Sequence, residues 1–154
     1  FAALGYAGNA HGWLWLTKVY IIPYLFVNMW LVMITDLQHT DPRLPHYRAS
    51  AYSWIKGAVC TMDRDYGVMN VLHHHIADTH VCHHLFSHMP HYHAQEASAA
   101  IKPILGDFYL VDTCSPGLLG IAETLYKTAT HCRFVEDDGD ILWWNRSNKD
   151  KKSA

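Results

Sequence analysis

Charge is scarce in this sequence, and the shortage is concentrated at its amino-terminal end. Charged residues make up 17% of the 154 positions, below the roughly 25% typical of soluble domains. From Phe1 to Thr35 the only charged side chain is Lys18. The formal net charge is -2, and because there is no basic field, we expect no nucleic-acid partner.

Cysteine is also too sparse, and wrongly spaced, for two kinds of small scaffold. None of the four cysteines forms a CxxC pair, which gives little support to a zinc ribbon. A disulfide scaffold does not fit so few cysteines in a chain of 154 residues. We therefore expect free thiols in a reducing compartment at Cys60, Cys82, Cys114 and Cys132.

The chain also lacks an initiator methionine and the charged start of a signal peptide. It begins inside an apolar segment, "FAALGYAGNAHGWLWLT". We therefore expect it to be a fragment of a longer protein.

A long uncharged run follows, with seventeen residues between Lys18 and Asp36. As a helix they would span roughly 25 Å, the short end for crossing a membrane. A buried helix of a soluble protein is the alternative, but the preceding seventeen residues are also uncharged, which favours a membrane location. Three glycines in the first twelve residues weaken the first segment as an independent span and favour a truncated, closely packed helix. We predict membrane-embedded helical segments over residues 1–35.

Prolines and turn residues predict where the rest of the chain is not helical. Pro42 and Pro45 favour a loop or an extended segment after the apolar run. The turn residues "DDGD" predict a hairpin over residues 131–144. A polar tail over residues 145–154 is expected to be disordered.

Apolar spacing predicts three helices in the second part of the chain. Residues 50–62 form an amphipathic pattern that would suit a membrane surface. A second helix is predicted over residues 94–102, ending before Pro103. A third is predicted over residues 116–130, with Pro116 near its start.

Histidine is abundant, and its distribution is uneven. Nine of the thirteen histidines lie in residues 73–93, "HHHIADTHVCHHLFSHMPHYH". Within this cluster His80, His83 and His84 would share one helical face, where three imidazoles can bind one or two ions of iron, zinc, copper or nickel. Asp78 precedes them and could accept a hydrogen bond from the other ring nitrogen of a ligand.

The other six histidines of the cluster fit a ligand role less well, because three are consecutive and three straddle a proline. They are His73, His74, His75, His88, His91 and His93. His39, just beyond the apolar run, could add one imidazole to a site built mainly from elsewhere. Three or four imidazoles complete one zinc-like site but not a two-metal site. The chain therefore either binds one ion or lacks half of its ligands.

Three motifs occur in order along the chain: "LVMITDLQHTDPRLPHY", "WIKGAVCTMDRDYG" and "HVCHHLFSHMPHYHAQEASAAIKPILGDFY". They resemble the membrane fatty-acid desaturases, and most closely the endoplasmic-reticulum oleate (delta-12) desaturases. The last motif resembles the third histidine box of that family, and the first two resemble the segments before it. The match runs from about Lys18 to about Tyr109, with details that look fungal.

The resemblance implies a mainly α-helical, multi-pass membrane protein with a cytosolic helical cap that carries a histidine-rich di-iron site. Three histidine boxes supply most ligands in this family, and the first two do not occur in this sequence. The chain would then be the C-terminal part of a longer enzyme, inactive alone. Its parts would be membrane helices (1–35), a cap with the third box (36–132), and a C-terminal hairpin and polar tail (133–154).

The resemblance also assigns roles to individual residues. The implied iron ligands are His80, His83, His84 and His39. The residues implied to support those ligands are Asp78, His74 and His91. The other histidines of the cluster lie at positions where the family often has different residues.

The implied reaction is the oxygen-dependent conversion of oleate to linoleate type chains, with a cis double bond at the delta-12 position. The implied partners are an acyl-lipid or acyl-CoA substrate, the lipid bilayer, and cytochrome b5 with its reductase. The location would be the endoplasmic reticulum membrane, with the cap facing the cytosol. An omega-3 desaturase, or a hydroxylase or acetylenase on the same framework, is an alternative. A non-enzymatic, histidine-rich fragment that binds one metal ion is an alternative of another class.

Overall fold

A computed structural model describes residues 1–112, 117–135 and 137–145 of the chain. Most of these residues are helical, as predicted. Contacts divide the chain into two compact units, Phe1–Thr35 and Asp36–Ala154. The assignment of these parts to a membrane and to a cytosolic cap stays a prediction.

The first unit is entirely helical apart from its first residue and one glycine. It contains α1 (Ala2–His11), α2 (Trp13–Leu16), a π-helical turn (Thr17–Ile21) and the beginning of α3 (Ile22–His39). Gly12 separates α1 from α2 with a φ of 90°, a left-handed conformation that glycine adopts easily. A methyl group on Gly8 would lie 2.9 Å from the indole ring of Trp13, so the chain packs closely through a glycine here.

From Trp13 to His39 the helix is continuous over 27 residues, a length of about 40 Å. Its apolar side chains are exposed, among them Leu25, Val27 and Leu31. Within the described part of the chain, it is the one helix long and apolar enough to cross a membrane. None of its apolar window is buried inside the protein, whereas a helix that is apolar all round in a soluble protein is buried in the core.

The second unit consists of shorter helices around a small core. They are α4 (Trp54–Ala58), α5 (Val68–Leu72), α6 (His80–Leu85), α7 (Ala94–Leu105) and α8 (Leu118–His131), with 3-10 turns at His91–His93 and Gly106–Phe108. The most deeply buried side chains include Leu37, Gln38, Thr61, Met62, Tyr66, Val81 and Cys82. The core therefore lies where the end of α3, the segment 61–66 and α6 meet.

Short strands join distant parts of the second unit in pairs. β1 (His46–Tyr47) pairs antiparallel with β5 (Ile141–Leu142), β2 (Met62–Asp63) pairs parallel with β3 (Leu110–Val111), and β4 (Phe134–Val135) pairs antiparallel with β6 (Trp144–Asn145). In register, Met62 is opposite Leu110 and Val135 is opposite Trp144. Each strand is only two residues long, so these pairs connect segments without forming an extended sheet.

The helix predicted over residues 50–62 is wrong in its extent, because only Trp54–Ala58 is helical. The backbone of Met62 pairs with β3 instead. Thr61 donates a side-chain hydrogen bond to the carbonyl oxygen of Gln38. These bonds to distant parts of the chain hold the segment extended, and the local apolar spacing contains no information about them.

The prediction that α7 ends before Pro103 is also wrong, since the helix continues to Leu105. A proline in the last turn removes a single backbone hydrogen bond close to the place where the helix ends. The end itself is set by Gly106, which has a φ of 53°. α8 lies where the third helix was predicted, although Pro116 falls outside the described residues.

The predicted hairpin exists as the antiparallel pair of β4 and β6. Its returning segment is divided, because Ile141–Leu142 pairs with β1 instead. Cys60, Cys82 and Cys132 are free thiols as expected. Cys114 and the tail after residue 145 lie outside the described residues.

Candidate metal centre

Three histidines from two distant parts of the chain meet at one point. His39 is the last residue of α3, and His80 and His84 lie one turn apart on α6. The Nε2 atom of His39 is 3.3 Å from Nε2 of His80 and 3.1 Å from Nε2 of His84. Ligand atoms of the three residues all lie within 4.8 Å of one another, the one such group among the described residues.

Hydrogen bonds at the opposite ring nitrogens fix which atoms face this point. Nδ1 of His80 donates to the carbonyl oxygen of Ile76 at 3.0 Å, and Nδ1 of His39 donates to that of Cys60 at 3.3 Å. Because a carbonyl oxygen can only accept, both Nδ1 atoms carry the proton and both Nε2 atoms are bare when the rings are neutral. Two bare nitrogens at this distance present lone pairs to each other, an arrangement that a cation between them stabilises.

The spacing of the nitrogens fits a metal ion. Imidazole nitrogens bind ions such as zinc at about 2.0–2.1 Å, so two nitrogens on one ion lie about 2.8–3.4 Å apart for angles between 90° and 109°. The two Nε2 separations from His39 both fall in this range. Carbonyl acceptors for the other ring nitrogens are also usual for histidines that bind metals. The residues present therefore fit a metal ion held by three imidazoles.

The protonation states agree with this assignment. Burial, together with the neighbouring imidazoles, lowers the pKa of His80 to about 3 and that of His84 to about 4. Both rings are therefore neutral near pH 7, and the neutral ring is the form that binds metals.

The lowered pKa values predict acid sensitivity of the metal-free protein. In the unfolded chain these histidines protonate near pH 6.5, whereas in the folded chain they stay neutral until about pH 4 for His84 and about 3 for His80. Because the unfolded state binds more protons in this window, stability should fall as the pH is lowered from about 6.5 towards 4. Thermal unfolding of the chelator-treated protein at a series of pH values would measure this decrease in stability. The variant His84→Gln should give a shallower pH dependence, and an equal slope in both proteins would contradict this prediction.

His83 does not join this group. At about 100° per residue, positions 80 and 84 differ by about 40° around a helix, whereas position 83 lies about 100° from position 84. The group of three that the structure brings together is His39, His80 and His84, and the expectation that His83 shares a metal site with His80 and His84 stays a prediction. His83 instead lines an open cavity of about 320 Å³.

His74 and His91 lie at the same cavity as His83. Their rings are 4.6 Å apart, and His74 has a φ of 53°, a left-handed conformation that is uncommon for a residue with a side chain. Neither residue is part of the three-histidine group. Their expected supporting role would therefore concern His83 and stays a prediction.

Asp78 has a different partner from the one expected. Its carboxylate accepts a hydrogen bond from Nδ1 of His75 at 2.9 Å, so the expectation that it orients a ligand is not met for His80 or His39. Their Nδ1 atoms are bound by backbone carbonyl oxygens, because the last residues before α6 bring the carbonyl of Ile76 within reach of His80. A backbone acceptor has no signal in the sequence.

Two further residues near the site belong to a motif to which no role was assigned from the sequence. Asp63 and Arg64 of "DRDYG" are 5% and 2% exposed, which is rare for charged residues. Burial raises the pKa of the Asp63 carboxyl to about 6, against hydrogen bonds from Tyr109 and from the backbone of Val81. The DRDYG motif was the available signal, but its location relative to the histidines could not be read from the sequence.

The family model for fatty acid desaturases matches residues 1–116 of the chain. A delta(12) fatty acid desaturase of Mortierella alpina is 50% identical over 149 residues, which cover 94% of this chain and 36% of the relative. An omega-6 fatty acid desaturase of Glycine max, endoplasmic reticulum isozyme 2, is 48% identical over 141 residues (88% and 36%). An oleate hydroxylase of Claviceps purpurea is 49% identical over 156 residues (96% and 32%). No solved structure matches the chain.

The fold and the converging histidines define a mostly helical protein with a site compatible with a metal ion. Since the family model covers most of the chain, the chain belongs to the fatty acid desaturase family. It spans about a third of the length of the curated relatives that it matches.

Proposed function

We propose that this chain is part of a longer fatty-acid desaturase that introduces a cis double bond at the delta-12 position of an oleoyl chain. The observation that carries the proposal is the convergence of three Nε2 atoms, two of them from the HxxHH motif "HVCHH". The identity of about half of the residues with a delta(12) desaturase supports the choice of reaction.

The histidines would divide between two iron ions. His39, His80 and His84 would hold one ion, since their Nε2 atoms meet at one point. His83 is exposed towards the cavity, where it would bind a second ion together with ligands from the rest of the enzyme. When bound, the iron pair supplies the activation of O2 that removal of hydrogen from an unactivated methylene requires.

The overall reaction balances with O2 as the oxidant. Two hydrogens leave adjacent methylenes of the acyl chain, and two electrons from cytochrome b5 and its reductase, with two protons, complete the reduction of O2 to two waters. The neutral imidazoles add no charge to the iron site, and burial of His80 keeps bulk water away from its ring. The acyl chain would be carried by a lipid or by coenzyme A.

A membrane location follows from the substrate and from the exposed apolar helix Trp13–His39. Long acyl chains partition into lipid, and a 27-residue apolar helix is long enough to cross the bilayer core of about 30 Å with some tilt. We place the enzyme in the endoplasmic reticulum as a multi-pass protein, with the histidine site in a cap on the cytosolic side.

Expression of the full-length enzyme in yeast would test the proposed reaction. We expect linoleate to appear in the fatty-acid profile at the expense of oleate. Cells that express the His84→Ala variant at an equal level are the matched control and should contain no linoleate. An unchanged profile in both would contradict delta-12 activity.

The products also separate the alternatives on the same framework. Linolenate would indicate an omega-3 enzyme, and a hydroxylated oleoyl chain would indicate the reaction named for the Claviceps purpurea relative. A purified protein with one zinc ion and no reaction with O2 would indicate a metal-binding protein instead. The present chain alone should be inactive, because four histidine ligands are too few for two irons.

A further inference from the structure

The metal donors lie at the ends of two helices, where the backbone is incompletely bonded. His39 ends α3, and His80 begins α6. The last four carbonyl groups and the first four N–H groups of a helix have no partner within the helix. Helix ends therefore fray unless other groups bind them, yet three nitrogens from these two helices must stay within a few tenths of an ångström of the positions that a metal ion requires.

One short extended stretch, residues 60–64, binds the end of α3. The hydroxyl of Thr61 donates to the carbonyl oxygen of Gln38 at 2.9 Å, and Nε of Arg64 donates to that of Leu37 at 2.6 Å. The carbonyl oxygen of Cys60 accepts the Nδ1 proton of His39 itself. The side chains of Thr61 and Arg64 are fully or almost fully buried. The 60–64 segment thus binds two carbonyl groups in the last turn of α3 and the ring of its last residue.

The same segment also binds the beginning of α6. One carboxylate oxygen of Asp63 accepts a hydrogen bond from the N–H of Val81 at 2.9 Å, which is one of the unpaired N–H groups of that helix. The other oxygen accepts a hydrogen bond from the hydroxyl of Tyr109. The N–H of Arg64 donates to the carbonyl oxygen of Ala77, just before the helix, at 2.9 Å.

Arg64 is held in this position by two carboxylates. Its guanidinium forms ion pairs with Asp112 and, at 3.4 Å, with Asp41. A guanidinium has a rigid, planar set of donors, so bonds to two carboxylates fix the direction of the Nε–H that binds α3. A lysine at this position would keep the charge but could not reproduce that set of directions.

We propose that Thr61, Asp63 and Arg64 are positioning residues, which set the distance between His39 and the histidines of α6 and so determine the geometry of the metal centre. The inference rests on the proposed metal-binding function of those histidines. Removing groups that orient metal ligands typically weakens metal binding about 10–100-fold, and we expect losses of this size from disrupting the segment.

The test uses the full-length enzyme, purified in detergent and stripped of iron. Cobalt(II) is titrated against a competing chelator, which gives the affinity, and its visible absorption spectrum reports the geometry of the ligands. Thr61→Val and Arg64→Lys are the chosen variants, because each preserves most of the volume and is expected to fold. We expect about 10–100-fold weaker cobalt binding and a shifted spectrum in both.

Two control variants separate positioning from general stability. Thr61→Ser retains the hydroxyl and should restore wild-type affinity and spectrum. Arg48→Ala removes a guanidinium in another part of the unit. Like Arg64, Arg48 donates to a carbonyl oxygen, that of Gly139 at 2.9 Å, and to a carboxylate, that of Asp137. This variant should bind cobalt as the wild type does. Thermal unfolding of each metal-free protein is measured in parallel.

The outcomes distinguish this inference from the function on which it rests. A wild-type enzyme that binds no cobalt would overturn the proposed metal centre itself. Wild-type affinity and spectrum in Thr61→Val and Arg64→Lys, with or without a lower unfolding temperature, would overturn the positioning role alone. Loss of affinity in Thr61→Val that Thr61→Ser does not restore would also count against it.

Discussion

Replacing His84 by alanine is expected to abolish desaturation and to remove one of two iron ions from the full-length enzyme. His84 supplies one of three Nε2 atoms at the proposed centre and lies 3.1 Å from that of His39. Two remaining imidazoles leave an ion without the three protein ligands that open catalytic sites usually have. Iron analysis of the purified protein, together with the fatty-acid profile of expressing cells, would measure both effects.

A matched variant in the same cluster provides the control. His88 is exposed and is not part of the three-histidine group, so His88→Ala should keep the iron content and the activity. His83→Ala should also lose iron, but should leave the group formed with His39 intact. Equal iron content in the His84 and His88 variants would argue against the proposed ligand set.

Replacing Leu37 by alanine is expected to destabilise the protein by about 2–5 kcal/mol, the usual range when a large buried side chain is truncated to alanine and leaves a cavity. Leu37 is 0% exposed and lies two residues before His39, so the loss of packing also loosens the end of α3. The variant Leu37→Met keeps the volume, and such exchanges usually cost less than about 1.5 kcal/mol.

The measurement is thermal or denaturant unfolding of the two variants beside the wild type. We expect a large decrease for the alanine variant and a small one for the methionine variant. Similar small decreases in both would mean that this side chain is less tightly packed than its burial indicates. Iron content measured on the folded fraction would show whether loosening the end of α3 also displaces His39 and weakens iron binding.

Several features could be predicted from the sequence because they depend on residues close together along the chain. The spacing of His80 and His84 puts both rings on one side of a helix, and the uncharged run after Lys18 predicts a long apolar helix. Both follow from helix geometry alone. The role of His39 could not be obtained in this way, and the desaturase resemblance was needed to select it.

Other features depended on pairs of residues that are far apart in sequence. His83 lies outside the three-histidine group because the third member of that group is His39, which is 41 positions before His80 in the sequence. The acceptor for His80 is a backbone carbonyl group, which every residue has, so no residue type predicts it. The helix predicted over 50–62 failed for a related reason, since the distant partners of Thr61 and Met62 decided the local conformation.

The sequence by itself determined the family, the apolar helix and the histidines that can bind a metal, because side-chain chemistry and short-range periodicity are sufficient for these. Only the tertiary structure decided which histidines meet and what holds them together. The nitrogens of His39, His80 and His84 converge because the 60–64 segment ties the end of one helix to the beginning of another. Such ties are made between backbone groups and side chains more than fifteen positions apart, where local pattern contains no information.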